Sequence, residues 1–308
     1  MAIVKTDGPM TSDLSHQTVL ALARRYPAIG TRVLTETAFG RPVDLMTIGH
    51  GERHVIFTAA HHANEWITAT LLLRFTEELA QALEDGGRIF GVPAETLDRA
   101  ATIHIVPMVD PDGVDLVTGA ISPGSPQYEL ARAMAARYPT IPFPDGWKAD
   151  LLGVDLNLQY PAGWLRAREI KFSQGFTRPG PRDFVGRAPL TQVEARALAE
   201  LTMEVDPAVV LACHSQGEVI YWQFGNIEVP GARALGEEFA RLSGYELADT
   251  PFESSFAGYK DWFIQNFRRP GYTIEVGQGE SPLPLEQFDE IYKDNLGILV
   301  TAATGLPG

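Results

Sequence analysis

A histidine and a glutamate three residues apart mark the first place in this sequence where chemistry could occur. His62 and Glu65 lie in the stretch HHANEW, directly after an apolar run. Side chains at positions i and i+3 share one face of a helix, so both could point at a single ion. Zinc often takes histidine and carboxylate ligands in catalytic sites. Alone the spacing is weak evidence, because an acidic residue also suits an ordinary helix N-terminus.

A third ligand must come from a small set, because the chain has only seven histidines. His214 is the best candidate, since it follows the apolar run AVVLAC and precedes the polar turn Ser-Gln-Gly-Glu. The adjacent His61 is interpreted as a structural or pocket-wall residue. Solvated or packing roles are the better interpretation for the remaining four, which are His16, His50, His54 and His104. We therefore hypothesise one zinc ion per chain.

Two further segments carry polar residues suited to such a centre. Asp155, in GVDLN, could fix the tautomer of a histidine ligand by accepting from its second ring nitrogen. Asn157 could hold a substrate carbonyl or carboxylate, although an Asx turn is the plainer interpretation of this segment. Glu275 lies in the apolar run YTIEV, where an unpaired carboxylate is costly to bury. Either it pairs with a basic residue, or it faces a cleft, where beside a metal-bound water it would be a natural general base.

These residues fall where predicted strands end. Apolar runs of buried-strand type cover 54–60, 102–109, 208–213 and 272–276. Helices are predicted over 16–26 and 65–83, from Thr191 where Thr-Gln-Val-Glu has the form of a capping box, and from near Glu286. A hairpin is predicted from 31–37 and 43–49. The alternation predicts an α/β fold, with a mixed, mostly parallel twisted sheet and helices on both faces. Ligands in such sheets lie beyond the carboxyl ends of strands.

Composition excludes several classes of protein. With 39 acidic and 25 basic residues the formal net charge is −14, which argues against a nucleic-acid partner. No run of about 18 apolar residues occurs, so no membrane span is predicted, and the acidic net charge predicts no affinity for anionic membranes and hence no membrane partner. The single cysteine, Cys213, and the lack of a signal-peptide pattern favour the cytoplasm. No linker divides the chain, so we predict one domain over 1–308, with the helix and hairpin start of 1–39 packed on it.

The order of these motifs resembles that of the zinc carboxypeptidase (funnelin-type) metallopeptidase family. The blocks are HxxEW, Val109-Asp110-Pro111-Asp112-Gly113, GVDLN, an apolar strand ending in His-Ser, and a strand with a buried glutamate. The resemblance covers nearly the whole chain from about Gly40 to the C-terminus. HHANEWIT, CHSQGEVIYW, AGYKDWFIQ and RRPGYTIEVGQGESPLP resemble the bacterial enzymes that cleave the γ-D-glutamyl–diaminopimelate bond of peptidoglycan peptides.

The resemblance implies a fold, a mechanism and a substrate. It implies a carboxypeptidase-like sheet in which the zinc ligands are His62, Glu65 and His214. Asp155 matches the partner of the first histidine, and Glu275 matches the general base that activates water. The implied substrate is a small cell-wall-derived peptide with a γ-D-glutamyl bond to meso-diaminopimelate or another L-diamino acid. Because no cell-wall-binding repeat or export signal is visible, an intracellular recycling or catabolic enzyme is expected.

The sequence departs from the family where substrate and oxyanion are bound. Leu158 stands where the family usually has the arginine of an Asn-Arg carboxylate clamp, and leucine cannot replace a guanidinium. Leu151 and Leu152 precede GVD, where many relatives have an oxyanion arginine, and Lys148 is a nearby substitute. A basic segment that could supply the missing charge contains Arg166, Arg168, Arg178, Arg182 and Arg187.

Two further substrate contacts are predicted. Some relatives carry a proton donor before the GYKDW block, where Phe256 stands here, and Tyr259 is the nearest hydroxyl. Glu218 is a candidate partner for the amine of diaminopimelate, although an ordinary surface turn explains it equally well. We therefore assign Asn157, Glu218 and Tyr259 to substrate binding.

Three alternatives to a cell-wall peptidase stay open. The chain could be a zinc-dependent deacylase that acts on another small acyl-amino acid, because the substrate-clamping arginine is replaced. It could also be a catalytically impaired binding homologue, although every group needed for zinc binding and water activation is present. A scaffold without metal is the weakest alternative, since it makes four chemically matched residues a coincidence.

Overall fold

The strands form one eight-stranded mixed sheet and a separate two-stranded ladder in a computed structural model that describes residues 2–306. The strands are β1 (Gly30–Glu36), β2 (Pro42–Ile48), β3 (Arg53–Ala59), β4 (Arg88–Ile89), β5 (Val92–Pro93), β6 (Ala101–Val106), β7 (Val209–His214), β8 (Val219–Tyr221), β9 (Glu246–Ala248) and β10 (Gly271–Glu275).

Ten α-helices and four short 3-10 turns connect the strands within residues 2–306. The helices are α1 (Ser12–Arg25), α2 (Ile67–Asp85), α3 (Ala94–Ala100), α4 (Pro111–Val117), α5 (Pro126–Ala135), α6 (Trp164–Ser173), α7 (Val193–Val205), α8 (Ala232–Ser243), α9 (Tyr259–Phe267) and α10 (Phe288–Thr304). The 3-10 turns are Ala63–Glu65, Leu156–Leu158, Phe252–Ser254 and Leu285–Gln287.

The strand order in the large sheet is β1-β2-β6-β3-β7-β10-β8-β9. Its four central strands, β6, β3, β7 and β10, are parallel to one another and correspond to the four predicted apolar runs. The predicted hairpin forms the antiparallel pair β1–β2 at one edge. The prediction of an α/β fold with a mixed, mostly parallel sheet is therefore confirmed.

Alternate residues of the central strands face two separate layers of helices. On β3, Val55 and Phe57 belong to one core cluster, which contains residues of α2 and α10. Ile56 belongs to a second cluster, which contains residues of α7 and α9. Since successive strand side chains point to opposite faces, a continuous apolar run is what a strand covered on both faces requires.

The first helix packs against the edge hairpin. α1 begins after Thr11, whose side-chain oxygen accepts a hydrogen bond from the N–H of Leu14. Val19 and Leu22 on this helix share a core cluster with Met46 and Ile48 of β2. No helix in the described part of the chain has the length and apolar character needed to cross a bilayer.

The predicted capping box at Thr191 is wrong. α7 begins at Val193 after Gln192, which caps it without a side-chain hydrogen bond. The side-chain oxygen of Gln159 instead accepts from the backbone N–H groups of Thr191 and Gln192, at 2.9 and 3.1 Å. The Thr191 hydroxyl donates to the same oxygen. The side chain of Gln159 therefore satisfies the Thr191 N–H, which is one of the two donors that the local motif was expected to serve.

Candidate active site

Three adjacent parallel strands bring the candidate residues to one edge of the sheet. Ala59, at the end of β3, pairs with Cys213 on β7, and His214 pairs with Glu275 on β10. The chain leaves β3 and reaches His62 and the 3-10 turn Ala63–Glu65 within a few residues. The strand register therefore positions side chains that are far apart in the sequence.

The ligand atoms of His62, Glu65 and His214 converge on a single point. His62 Nδ1 lies 3.0 Å from one Glu65 carboxylate oxygen, and His214 Nδ1 lies 2.9 Å from the other. The two Nδ1 atoms are 3.2 Å apart. A tetrahedral zinc ion with bonds of about 2.0–2.1 Å places its ligands about 3.3 Å apart, so the donor set fits this metal. No other group of three or more potential ligands within residues 2–306 is as compact.

The environment of Glu65 keeps this ligand ionised. Its side chain is buried, and burial alone would raise the pKa of the carboxyl group. Lys148, His62 and His214 outweigh burial and hold that pKa well below its ordinary value. The Lys148 ammonium donates to Glu65 at 2.7 Å. A buried carboxylate that is already charged is prepared to bind a cation.

Asp155 contacts the ring nitrogen of His62 that is not part of the ligand cluster. Its Oδ1 lies 3.3 Å from His62 Nε2, and its two oxygens accept from the N–H groups of Asn157 and Asp183. Burial acts to raise the pKa of Asp155, but the charge and hydrogen bond of His62 and the Asp183 N–H lower it overall. The predicted partner therefore holds the His62 ring with Nδ1 directed to the cluster.

Glu275 stands beside the cluster at the floor of a cleft. Desolvation raises the pKa of its carboxyl group, although the charge of His214 acts in the opposite direction. A carboxylate whose pKa is shifted towards neutrality is better suited to accept and return a proton. Glu275 lines two recesses of the cleft, and both recesses also contain Lys148, Arg182 and Tyr221.

The two recesses differ in size and charge. The Asn157 recess has a volume of about 210 Å³ and is further lined by Asn157, Leu158, Lys171, Asp183, Thr250, Lys260 and Asp261, among others. The Asn64 recess has a volume of about 870 Å³ and is further lined by Asn64, Asp145, Ser215, Gln216, Glu280 and Ser281, among others. The four shared side chains therefore lie between a small recess lined by as many carboxylates as lysines and arginines and a larger one in which carboxylates outnumber them.

The structure places only some of the predicted substrate contacts at the cleft. Asn157 lines the small recess, and its side-chain oxygen accepts from the N–H of Tyr259 at 3.1 Å. Leu158 lines the same recess with an apolar side chain. Of the five arginines in the basic segment, Arg182 alone lines these two recesses within residues 2–306. The helix α6 carries Arg166, which pairs with Glu169 at the surface.

Tyr259 and Glu218 do not line either recess. The Tyr259 side chain is fully buried, and its hydroxyl shares a 2.8 Å hydrogen bond with that of Thr202. It is turned into the core because α9 begins at this residue and directs its first turn against the sheet. Glu218 accepts from the Gln278 side chain at 2.6 Å. The predicted substrate hydroxyl therefore lies inside the protein.

Tyr221 supplies a phenol hydroxyl to the cleft that the sequence did not reveal. It lies on β8, where it pairs with Thr273, and Val219 pairs with Glu275. Desolvation, and then the charge of Glu275, raise the pKa of the Tyr221 phenol. Only the antiparallel register of this three-residue strand shows that Tyr221 and Glu275 share a face. Lys171 and Lys260 also line the cleft and were missed, because the direction in which a helical side chain points depends on how α6 and α9 pack.

Comparisons with known proteins agree with this arrangement. Residues 16–297 match the family described as zinc carboxypeptidase. The chain is 43% identical over 283 residues to gamma-D-glutamyl-L-diamino acid endopeptidase 1 of Lysinibacillus sphaericus, which covers 91% of this chain and 68% of that protein. It is 38% identical over 277 residues to the uncharacterized protein YqgT of Bacillus subtilis (strain 168), covering 89% and 72%.

Solved structures share the fold at low identity. Carboxypeptidase A from Helicoverpa armigera superposes with a TM-score of 0.73 at 17% identity, covering 97% of this chain and 75% of that chain. Bovine thrombin-activatable fibrinolysis inhibitor gives 0.73 at 13% identity, covering 97% of both. Murein-tripeptide amidase MpaA from Escherichia coli O157 gives 0.57 at 19% identity, covering 91% and 93%. These similarities establish the fold.

Proposed function

Because the chain belongs to the zinc carboxypeptidase family, we propose that it hydrolyses the amide bond between γ-D-glutamate and a diamino acid in small peptides derived from peptidoglycan. The predictions of this family and of a zinc metallopeptidase are confirmed by the family match. The observation that carries the proposal is the convergence of His62, Glu65 and His214 beside Glu275. The substrate is proposed from the endopeptidase of Lysinibacillus sphaericus, which is 43% identical.

The side chains around the cleft have distinct roles in this reaction. A zinc ion held by the three ligands would supply a Lewis acid and lower the pKa of water to about 7. Glu275 accepts the proton of the attacking water and returns a proton to the leaving nitrogen. Lys148 and Tyr221 are the donors placed to stabilise the negative charge that develops on the carbonyl oxygen.

The cleft accommodates substrate on both sides of the reacting bond. The two recesses meet at Lys148, Arg182, Tyr221 and Glu275, so a bound amide there has room for a residue in each direction. The small recess suits a single residue, and the larger one suits a continuing peptide. This supports cleavage within a short peptide, with a small peptide as the ligand.

A cytoplasmic location for this activity remains our prediction from composition. Cys213 is free and buried, and burial raises the pKa of its thiol to about 12, so the thiol is chemically inert. Recycling of cell-wall peptides inside the cell is the role that we propose for such an enzyme.

The direct test is hydrolysis of L-Ala-γ-D-Glu-meso-diaminopimelate by the zinc-loaded protein. We expect release of L-Ala-D-Glu and diaminopimelate, and loss of this activity after chelation, with recovery when zinc is returned. The isomer with an α-linked D-glutamate is the matched control and should be cleaved poorly. Cleavage of N-acyl amino acids with no cleavage of the γ-linked peptide would replace the proposal with a deacylase. Zinc binding without hydrolysis of any amide would identify a binding homologue.

A further inference from the structure

We propose that Lys171 and Arg182, joined by Asp183, form a carboxylate-binding site in the Asn157 recess. This site binds the substrate carboxylate in place of the arginine that relatives usually carry at the position of Leu158. This inference rests on the proposed function and deepens it. It assigns the substrate class as an amide in which a residue next to the scissile bond carries a free carboxylate.

One buried carboxylate holds the two cations together. Asp183 Oδ1 lies 2.6 Å from the Lys171 ammonium, and Asp183 Oδ2 accepts from Arg182 Nε at 2.7 Å. The side chains of Lys171 and Asp183 are 9% and 12% exposed, so both are largely removed from water. Lys171 comes from α6 and the other two residues come from the loop that follows it. Two cations share one anion, and the group keeps a net positive charge.

The backbone fixes this group relative to the metal cluster. The N–H of Asp183 donates to Asp155 Oδ2 at 3.1 Å, and Asp155 also contacts His62. Asp183 has φ +64°, a left-handed conformation that aspartate tolerates better than most residues. Gly153 permits the close approach of the loop, because a Cβ there would lie 2.7 Å from the Gly180 nitrogen. The distance from the paired cations to the reacting bond is therefore set by the fold.

The recess offers more free donors than free acceptors. Asp155 and Asp183 are already bonded as described, and Asp261 accepts from Lys260 at 2.6 Å and from the Gly258 N–H. Lys260 also donates to the carbonyl oxygen of Gln223, so its charge is largely satisfied. These acidic groups therefore need no further donor from a ligand.

Several donors that line the recess are left available for an anionic ligand. Arg182 uses Nε for Asp183, which leaves its two terminal nitrogens for a ligand. Asn157 uses its oxygen for Tyr259, which leaves the amide nitrogen as a donor. The buried hydroxyl of Thr250 also lines the recess and has no protein partner within residues 2–306. A planar carboxylate can take two parallel hydrogen bonds from a guanidinium and a third from the ammonium.

A γ-D-glutamyl–diamino acid amide carries the required group on both sides of the bond. The α-carboxylate of D-glutamate flanks the scissile carbonyl, and the α-carboxylate of the diamino acid flanks the scissile nitrogen. An acyl-amino acid without such a neighbouring carboxylate makes no charge-assisted hydrogen bond to Lys171 or to the terminal nitrogens of Arg182, and both cations stay paired with Asp183 alone. The site therefore selects against uncharged amides.

The test compares the free-acid peptide with two peptides that are amidated at one of these α-carboxylates. We expect one amidation to lower kcat/KM of the wild-type enzyme by about tenfold or more, mainly through KM. In Lys171→Met and Arg182→Gln, kcat/KM on the free-acid peptide should fall by a similar factor, whereas kcat/KM on that amidated peptide should change little. Arg182→Lys should recover part of the loss. Arg166→Gln, an exposed change on the same helix as Lys171, is the control and should behave as wild type.

Two outcomes separate this inference from the proposed function. Equal kcat/KM of wild type on all three peptides would overturn the carboxylate site and leave the hydrolase intact. Absence of all hydrolysis would overturn the proposed function. The site is then tested by equilibrium binding of L-Ala-D-Glu, diaminopimelate and their α-amides to the zinc-loaded wild type. Tighter binding of one acid than of its amide supports the site, and equal binding overturns it whether or not the variants fold.

Discussion

His214 and Glu275 occupy paired positions on the neighbouring parallel strands β7 and β10. A metal ligand and the proposed base are therefore placed by a single strand register. Because side chains of paired residues point to the same side of a sheet, a slip by one residue would turn one of them away. Because Glu275 is not one of the three predicted metal ligands, its role can be tested separately from metal binding.

Glu275→Gln should abolish proton transfer while the metal stays bound. We expect kcat to fall by about 100- to 10,000-fold, because the amide cannot accept the proton of water. Zinc content per chain, measured by atomic absorption, should equal that of wild type. Glu286→Gln, a change at an exposed glutamate that lines neither recess, provides the control. Turnover of the glutamine variant close to that of wild type would remove Glu275 from the mechanism.

Asp155→Asn should weaken zinc binding. The amide cannot present a carboxylate to His62 Nε2, so the ring loses its tautomer and orientation. We expect the affinity for zinc to fall by about 10- to 100-fold, as measured by competition with a chelator of known affinity. The metal-free variant should be compared with metal-free wild type by thermal melting, since Asp155 also holds two backbone N–H groups.

The exposed variant Asp289→Asn controls for the chemical change itself. An unaltered zinc affinity in Asp155→Asn would mean that the His62 ring is held by its packing alone.

Two tyrosine variants distinguish a cleft hydroxyl from a core hydroxyl. Tyr221→Phe should lower kcat/KM by about tenfold or more, because it removes a donor to developing charge. Tyr259→Phe should leave kcat/KM unchanged and lower the free energy of unfolding by about 1 kcal/mol, because it breaks the hydrogen bond with Thr202. Chemical denaturation and steady-state kinetics on both variants check this. The opposite pattern would return the substrate hydroxyl to Tyr259.

Glu194→Gln should stabilise the protein above neutral pH. Burial raises the pKa of Glu194 to about 7, and its neighbour Asp112 adds to this shift. The surrounding carboxyl groups include Asp110 and Asp150, whose pKa values burial also raises, and the nearby Arg41 is bonded to Asp112. A raised pKa in the folded state means that stability falls as pH rises from about 4.5 to about 7.

Because glutamine cannot ionise, the free energy of unfolding of Glu194→Gln should exceed that of wild type by up to about 3 kcal/mol at pH 8 and should equal it at pH 4.5. Thermal melting of Glu194→Gln and wild type across this pH range provides the measurement. Glu200→Gln, an exposed change on the same helix, should show no such pH dependence. A constant difference between Glu194→Gln and wild type at all pH values would show that Glu194 ionises normally in the folded protein.

The parts of the site that could be predicted are those at the ends of apolar strands. His62, His214 and Glu275 follow or end runs that the sequence marks clearly, and parallel strands bring such ends to one edge. Tyr259 was misplaced because nothing in AGYKDW shows which way the first turn of a helix faces. Lys171 was missed because its role depends on Asp183, a contact that only the folded loop creates.

Asp155 contacts both the His62 ring and the backbone of Asp183. One side chain thus connects the metal centre to the loop that carries the proposed carboxylate-binding site. A ligand that shifts this shared carboxylate at one end must change binding at the other end, and the effect is equal in both directions. Zinc and an acidic product should therefore change each other's affinity by one common factor, so that removal of the metal also changes the affinity for the peptide.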